Sequence, residues 1–342
     1  MKLQSRDFRP IFVAGNSRSG TTLMANILKG NWDVHVLSEL HYFERLWDVD
    51  TEEKFSRCDA VQLAAQLLHT VREQLTASTP WKAHCEEASK SLDSTQEDFT
   101  GFDIYRMILS KECYLHDRLR ICDQTPRNIF YLDSILQDYP EGQVLIMVRD
   151  PRAILLSQKS KWKRREIKGN PIRRLERVRR WANYHPIVTS ALWNAAINAG
   201  QRVNDNERVK VVHFEELVGQ PEKAVKDICG FLGLSYNPAM LNVGQSMSPT
   251  GGKNKKPGHR SIDPTVADRW KTDLDATDLF WCEWVNSRNM ESLGYPLTKI
   301  RPRLPALALS LLSLPFKVGL SAVLNGSKMR SIVNSIRRRF SK

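Results

Sequence analysis

Gly15 and Gly20 bracket the loop Asn16-Ser17-Arg18-Ser19, which runs directly into Thr21 and Thr22. Two glycines at this spacing, followed by hydroxyls, are the residue types of a phosphate loop, G-x-x-x-x-G-K-[ST], whose backbone N–H groups cradle an anion. The chain departs from that pattern at one position. Thr21 stands where the lysine belongs, and the cation, Arg18, has moved inside the loop. That lysine is what grips the β- and γ-phosphates in a phosphate-loop NTPase. The sequence therefore predicts a site for an anion other than an ATP triphosphate. The elements that must hold the loop adjoin it. Ile11-Phe12-Val13-Ala14 reads as a buried strand. Leu23, Ile27 and Leu28 put apolar residues on a helix opening at Thr21. The positive end of that helix dipole reinforces the loop amides.

The run SRSGTTLM, residues 17–24, resembles the 5′-phosphosulfate loop of the sulfotransferases, which take sulfonate from 3′-phosphoadenosine 5′-phosphosulfate (PAPS). Arginine in the loop, then threonines, leucine and methionine, is most similar to the tyrosylprotein and bacterial branches. The cytosolic steroid and phenol enzymes carry lysine there. The resemblance implies that Arg18, with the amides of Ser19, Gly20, Thr21 and Thr22, binds and polarises the phosphosulfate. It extends to VRDPRAILLS, residues 148–157, and implies Arg149 and Ser157 as ligands of the 3′-phosphate. Arginine suits that dianion by charge and by forked geometry.

Glu39, 21 positions after Arg18, matches the general base of the tyrosylprotein branch. Such a base is needed because a hydroxyl or amine acceptor must lose a proton as it attacks sulfur. His41 is the alternative base. A basic segment from Ser246 to Ile262 matches the loop that folds over the adenosine and 3′-phosphate, with Arg260 its candidate ligand. Gln124 departs from the family, which often has lysine before Thr-Pro. Either Arg18 or Arg127 supplies the missing charge, or turnover is slow, or the protein is a degenerate relative. The resemblance covers roughly residues 10–297.

The remaining pattern alternates strand and helix. Strands are predicted at 33–38, at Leu119–Cys122, at Gln143–Val148 and at Arg208–Phe214; the continuous apolar run QVLIMV suits a central parallel strand. Helices are predicted over Ala60–Leu75, from Ala153, over Leu175–Ala199, over Pro221–Phe231 and from Asp275 to Met290, with 76–100 read as a polar, loop-rich insertion. His213 reads as a strand-end histidine. The fold class is α/β: a three-layer P-loop-type fold, a central parallel sheet with helices on both faces.

The 342 residues suffice for a full core, and 41% apolar with 26% charged is ordinary globular composition. The formal charge of +13 is concentrated. Residues 149–180 hold 13 Lys/Arg against 3 Asp/Glu, and residues 299–342 hold 10 Lys/Arg and no acid. Trp162 and Trp181 lie among the first group, which raises a nucleic-acid reading; a solvated basic face that attracts PAPS and an acidic acceptor is preferred, so no nucleic acid is expected. Six scattered cysteines without a C-x-x-C pair suit reduced thiols. The N-terminal residues show no apolar leader or anchor, which predicts a cytoplasmic protein.

The organisation expected is a sulfotransferase domain over 8–298 and a basic amphipathic tail over 299–342. Within the tail, Ala306–Leu314 lies between Pro305 and Pro315 and is too short to span a bilayer. Residues 316–342 repeat apolar residues at helical spacing among seven cations, which predicts an interfacial helix on an anionic membrane surface, with a helix packed on the catalytic domain, its cations solvated, as the alternative. The function implied is PAPS-dependent sulfonate transfer to a hydroxyl or amine, on a glycan or glycolipid among other acceptors, with no metal-ligand cluster expected. A P-loop phosphotransferase and a non-catalytic nucleotide- or polyanion-binding protein are the alternatives.

Overall fold

The computed structural model describes residues 8–37, 39–47, 54–73, 80–92, 98–163, 166–167, 170–243, 262–298 and 300–325. Five strands form one sheet: β1 (Ile11–Gly15), β2 (Val34–Leu37), β3 (Arg120–Asp123), β4 (Gln143–Val148) and β5 (Val209–His213). Their order is β2-β3-β1-β4-β5, and every neighbouring pair is parallel. The glycine-bounded loop leaves the central strand, with β3 and β4 on either side. That is where a parallel sheet places ligands, at the carboxyl ends of its strands.

Helices cover both faces because the strand residues are apolar on both. Phe12 and Ala14 of β1, with Val144 and Ile146 of β4, face one core. It is shared with α2 (Arg57–Glu73), α3 (Gly101–Leu115) and, further along the chain, the helix Pro186–Gln201. Ile11, Val13, Leu145 and Met147 face the other, shared with α1 (Thr21–Lys29) and the helix Pro221–Leu232. Strands buried on both sides explain why β4 reads as an unbroken apolar run. The three-layer α/β expectation holds.

Several boundaries differ from the sequence reading for local reasons. The helix expected from Ala153 is α4 (Pro151–Lys159), started by Asp150, whose carboxylate accepts from the Arg152 N–H at 2.8 Å. The long helix expected over Leu175–Ala199 is two, α5 (Arg174–Ala182) and α6 (Pro186–Gln201), because Pro186 cannot continue a helix but starts one well. The insertion at 76–100 holds a helix, Trp81–Ser91. The late elements are α7 (Pro221–Leu232), closed by Gly233 at φ 68°, and α8 (Ala276–Ser292), capped by Asp275.

The tail corrects the expectation most. A single helix, α9 (Leu304–Leu324), runs 21 residues straight through Pro315. It is long and apolar enough to cross a membrane. Proline removes one N–H donor, and here that costs a bond only to the carbonyl four residues back, on the side left exposed. Of the segment 316–342 expected to form the amphipathic helix, 316–324 belong to α9, and 326–342 lie outside the described residues.

Candidate active site

The loop after β1 needs its glycines. Gly15 has φ 145°, and a Cβ there would run into the Met147 carbonyl of the neighbouring strand. Gly20 has φ 96° and lies against the Phe214 ring. Arg18 also takes positive φ, at 80°, the conformation that turns successive amides toward one point. Gly20, which caps α1, has no side chain to offer, so the first N–H groups of the helix have no partner from a cap. The Ser19 hydroxyl is buried, 1% exposed as a residue, and makes no hydrogen bond.

Arg18, Arg149 and Ser157, separated in the sequence, meet here. The Arg18 Nε donates to the Ser157 Oγ at 3.0 Å. Arg149, at the end of β4, donates to the Arg18 carbonyl at 3.1 Å and to the Val266 carbonyl at 2.9 Å, with its guanidinium 4.1 Å over the Phe214 ring. Its Nε is buried without a partner. Burial lowers Arg149 most, Glu215 opposes it and the nearby Arg18 charge adds to it, leaving the group at about 10. Burial likewise lowers Arg18, against the pull of Glu39. Two partly desolvated guanidiniums, a free helix start, an unbonded hydroxyl and an unbonded Nε together fit a multiply charged anion such as the phosphates of PAPS. Thr21 is buried at the start of α1, and Thr22 is exposed beside it. Arg260 lies outside the described residues.

Glu39 and His41 sit across the loop, just past β2. The His41 Nε2 donates to a Glu39 carboxylate oxygen at 3.0 Å. Burial raises the Glu39 carboxyl, but hydrogen bonds from His41 and Gln124 and the charges of His41 and Arg127 outweigh it, leaving the group below its ordinary range. Glu39 is therefore ionised at neutral pH and able to accept a proton. The two residues proposed as rival bases form one pair.

Three residues that carried no role in the sequence reading hold this pair in place. Gln124 bonds Glu39 and also donates to the Thr21 Oγ1 at 3.2 Å, so it ties the carboxylate to the loop. The Thr125 Oγ1 accepts from the Leu40 N–H at 2.9 Å and donates to Asp123 at 2.7 Å. Asp123 is fully enclosed and also accepts from Tyr105 and, at 2.7 Å, from Asn128. Their signal was the segment Asp123-Gln124-Thr125-Pro126, polar residues directly after a buried strand.

Specific contacts hold two residues beside the site. Asp150 is engaged by the buried Arg152 at 2.7 Å, and Arg152 also reaches Glu283 at 2.9 Å. His213 closes β5 with a 3.4 Å contact to the Tyr295 hydroxyl. Among the described residues, donor atoms of His35, Glu112 and His116 lie within 4.8 Å of one another, a grouping with metal-ligand chemistry that the sequence reading did not find. The two imidazoles stack at 3.7 Å, and burial, then His116, Arg118 and Lys29, push His35 down to about 4. That surrounding positive charge opposes a bound cation.

The comparisons with known proteins bear on the family and the fold. A family model described as "Sulfotransferase family" matches residues 10–238, more than half of the chain. Protein-tyrosine sulfotransferase 1 of Danio rerio is 24% identical over 272 residues, 77% of this chain and 64% of that protein. Nodulation protein NoeE of Sinorhizobium fredii is 25% identical over 293 residues, 80% of this chain and again 64% of the relative. The chain thus spans a little under two thirds of each of these two relatives. Among solved structures, the sulfotransferase domain from the curacin biosynthetic pathway aligns with TM-score 0.54 at 20% identity, covering 86% of this chain and all of that domain. The sulfotransferase domain of the Synechococcus PCC 7002 olefin synthase gives TM-score 0.52 at 20% identity, covering 87% of this chain and 99% of that domain. These two share the fold, and the matched family spans every strand of the sheet and both sides of the site: the chain belongs to the sulfotransferase family.

Proposed function

We propose that the chain is a sulfotransferase that moves a sulfonate group from PAPS to an acceptor hydroxyl or amine. The observation that carries this reading is the pairing of two sites across one loop. Arg18, Arg149 and Ser157 gather at the uncapped start of α1. The Glu39–His41 pair lies on the other side, linked to Thr21 through Gln124.

PAPS, when bound, supplies the activated sulfonate. Glu39 takes the acceptor proton as the acceptor oxygen or nitrogen bonds to sulfur. The sulfur–oxygen bond to the 5′-phosphate breaks, and Arg18 with the loop amides stabilises the charge that returns to that phosphate. Arg149 and Ser157 hold the 3′-phosphate, and Gln124 keeps Glu39 in register with the loop. The catalytic unit is residues 8–298. The name of the Danio relative makes a tyrosine hydroxyl the first acceptor to assay.

Asp150 is held by Arg152, which argues against a carboxylate free to bind Mg²⁺ beside a phosphate loop that already lacks its lysine. Calorimetry separates the readings. Binding of 3′-phosphoadenosine 5′-phosphate in EDTA is expected. Preferential binding of Mg-ATP would overturn the proposal in favour of a phosphotransferase, and binding of heparin but of neither nucleotide would favour a polyanion-binding protein.

A further inference from the structure

A helix docked on a soluble domain turns its apolar stripe inward and its polar residues to water. In α9 the polar residues Ser310, Ser313, Lys317 and Ser321 all lie on the half-buried side, beside Leu307, Leu314, Leu320 and Leu324. The Ser310 carbonyl accepts from the His185 Nε2 at 3.1 Å, Ser321 bonds Asn183 at 2.6 Å, and Asn325, one residue beyond the helix, bonds the same Asn183 oxygen at 3.0 Å. Lys317, the one charged residue of α9, donates to the Tyr184 carbonyl at 3.1 Å and lies 4.6 Å over the Trp181 ring. The outward side is apolar throughout. All eleven exposed positions of the helix, from Leu304 to Val323, are Leu, Pro, Ala, Phe, Val or Gly. Leu312 is 73% exposed and Phe316 64% exposed.

We propose that this outward face beds in the acyl layer of an anionic bilayer leaflet, with α9 lying in the plane of the interface. Three observations choose lipid over another occupant. First, exposed leucine and phenylalanine without one interrupting polar group is a surface that water disfavours and lipid accepts. Second, the charge flanking it is positive only. Arg301 and Arg303 precede the helix, Lys328, Arg330, Arg337, Arg338, Arg339 and Lys342 follow in the sequence, and residues 299–342 contain no acid. A second copy would set 10 cations against 10, whereas an anionic leaflet complements them. Third, the helix is about 31 Å long at 1.5 Å per residue, yet its polar side is tied to the α5–α6 junction, so it cannot be ringed by lipid while docked. That geometry is of a helix lying on a membrane rather than spanning it. α5, which packs against α9, adds the exposed Leu175 and Val178 beside Arg174. The membrane contact thus rests on residues 304–324, not on the segment 316–342 that the sequence pattern suggested. It does not depend on sulfonate transfer, and its failure would leave that reading intact.

Flotation of the full chain tests it, using vesicles of phosphatidylcholine with phosphatidylglycerol at about 7:3, and of phosphatidylcholine alone. The parent is expected to float with the anionic vesicles and less with the neutral ones. Leu312→Glu with Phe316→Glu should lower partitioning by about tenfold or more, since both side chains are exposed and a charge cannot enter the acyl layer cheaply. The milder pair Leu309→Ser with Leu312→Ser should lower it less but measurably, and serves if the first pair fails to fold. No flotation of the parent, or equal flotation of parent and folded variants, would overturn the proposal. Equal flotation on neutral vesicles would overturn the anionic requirement. A parent dimer that dissociates on the same substitutions, without vesicle binding, would give the face to a second copy of the chain.

Discussion

Replacing Arg149 by alanine examines the donor site most sharply. A guanidinium has five N–H donors. In the structure two of them go to the Arg18 and Val266 carbonyls, and the buried Nε has no partner. At least one strong donor is therefore left over for a phosphate oxygen. A hydrogen bond to a charged group is worth about 1.5–3 kcal/mol, so Arg149→Ala should weaken PAPS and 3′-phosphoadenosine 5′-phosphate by about 10- to 150-fold. The substitution also removes the brace on the Arg18 carbonyl, which would loosen the loop whatever the ligand. Adenosine 5′-phosphosulfate, which lacks the 3′-phosphate, isolates that effect. It should lose less than threefold. Arg149→Lys keeps a charge but not the fork, and should fall between parent and alanine. Calorimetry with the three ligands gives each number. An equal loss for ligands with and without the 3′-phosphate would refute the assignment and leave Arg149 as a brace of the loop.

Two further outcomes follow from contacts around the site and the tail. Thr125→Val strands a buried carboxylate oxygen of Asp123 and the Leu40 N–H, at roughly 1–3 kcal/mol each; denaturant unfolding should show a loss of about 2–6 kcal/mol, and turnover should fall because the Glu39 segment loses its anchor. His185 is held below its ordinary 6.5 by burial, against the Ser310 carbonyl that favours the charged ring, with the nearby Lys317 adding to the lowering and Asp278 opposing it. Because the folded value is depressed, protons bind the undocked state more readily. The docking contribution of this histidine is full above pH 6.5 and declines as pH falls below it. Protection factors across 304–324, corrected for the pH dependence of intrinsic amide exchange, should fall between about pH 6.5 and 5 while those of β4 hold; uniform behaviour of the two segments would refute the coupling.

Much of this was legible because it was written in short segments. An apolar run such as Gln143–Val148 has few conformations that bury it on both sides, and the glycines at 15 and 20 mark positions where the backbone leaves the region open to other residues. Arg18, Arg149 and Ser157 were separately visible, but that Arg18 would bond Ser157 and carry Arg149 on its carbonyl depends on the packing of β4 and α4 beside β1. Gln124 illustrates the opposite failure. As a sequence position it was a missing lysine; in three dimensions it joins Thr21 to Glu39. Thr125 and Asp123 were hidden for the same reason, since their partners lie 85 and 18 residues away. In the tail the misleading signal was Pro315. Proline is a helix breaker only where the lost hydrogen bond and the ring clash matter, and α9 absorbs both on its exposed side. The split of the 175–199 segment went the other way, because Pro186 follows the capping His185 and opens a new helix.

The central claim is that Glu39, with His41 upon it, serves as the base opposite the donor site. The measurement that bears on it most directly is Glu39→Gln assayed for both turnover and donor affinity. The amide keeps the size and the hydrogen-bonding neighbours but cannot take a proton. Turnover should fall by roughly 10²–10⁴, with affinity for 3′-phosphoadenosine 5′-phosphate within about threefold of the parent. Turnover within threefold of the parent, or a loss that appears wholly in donor affinity, would contradict the account.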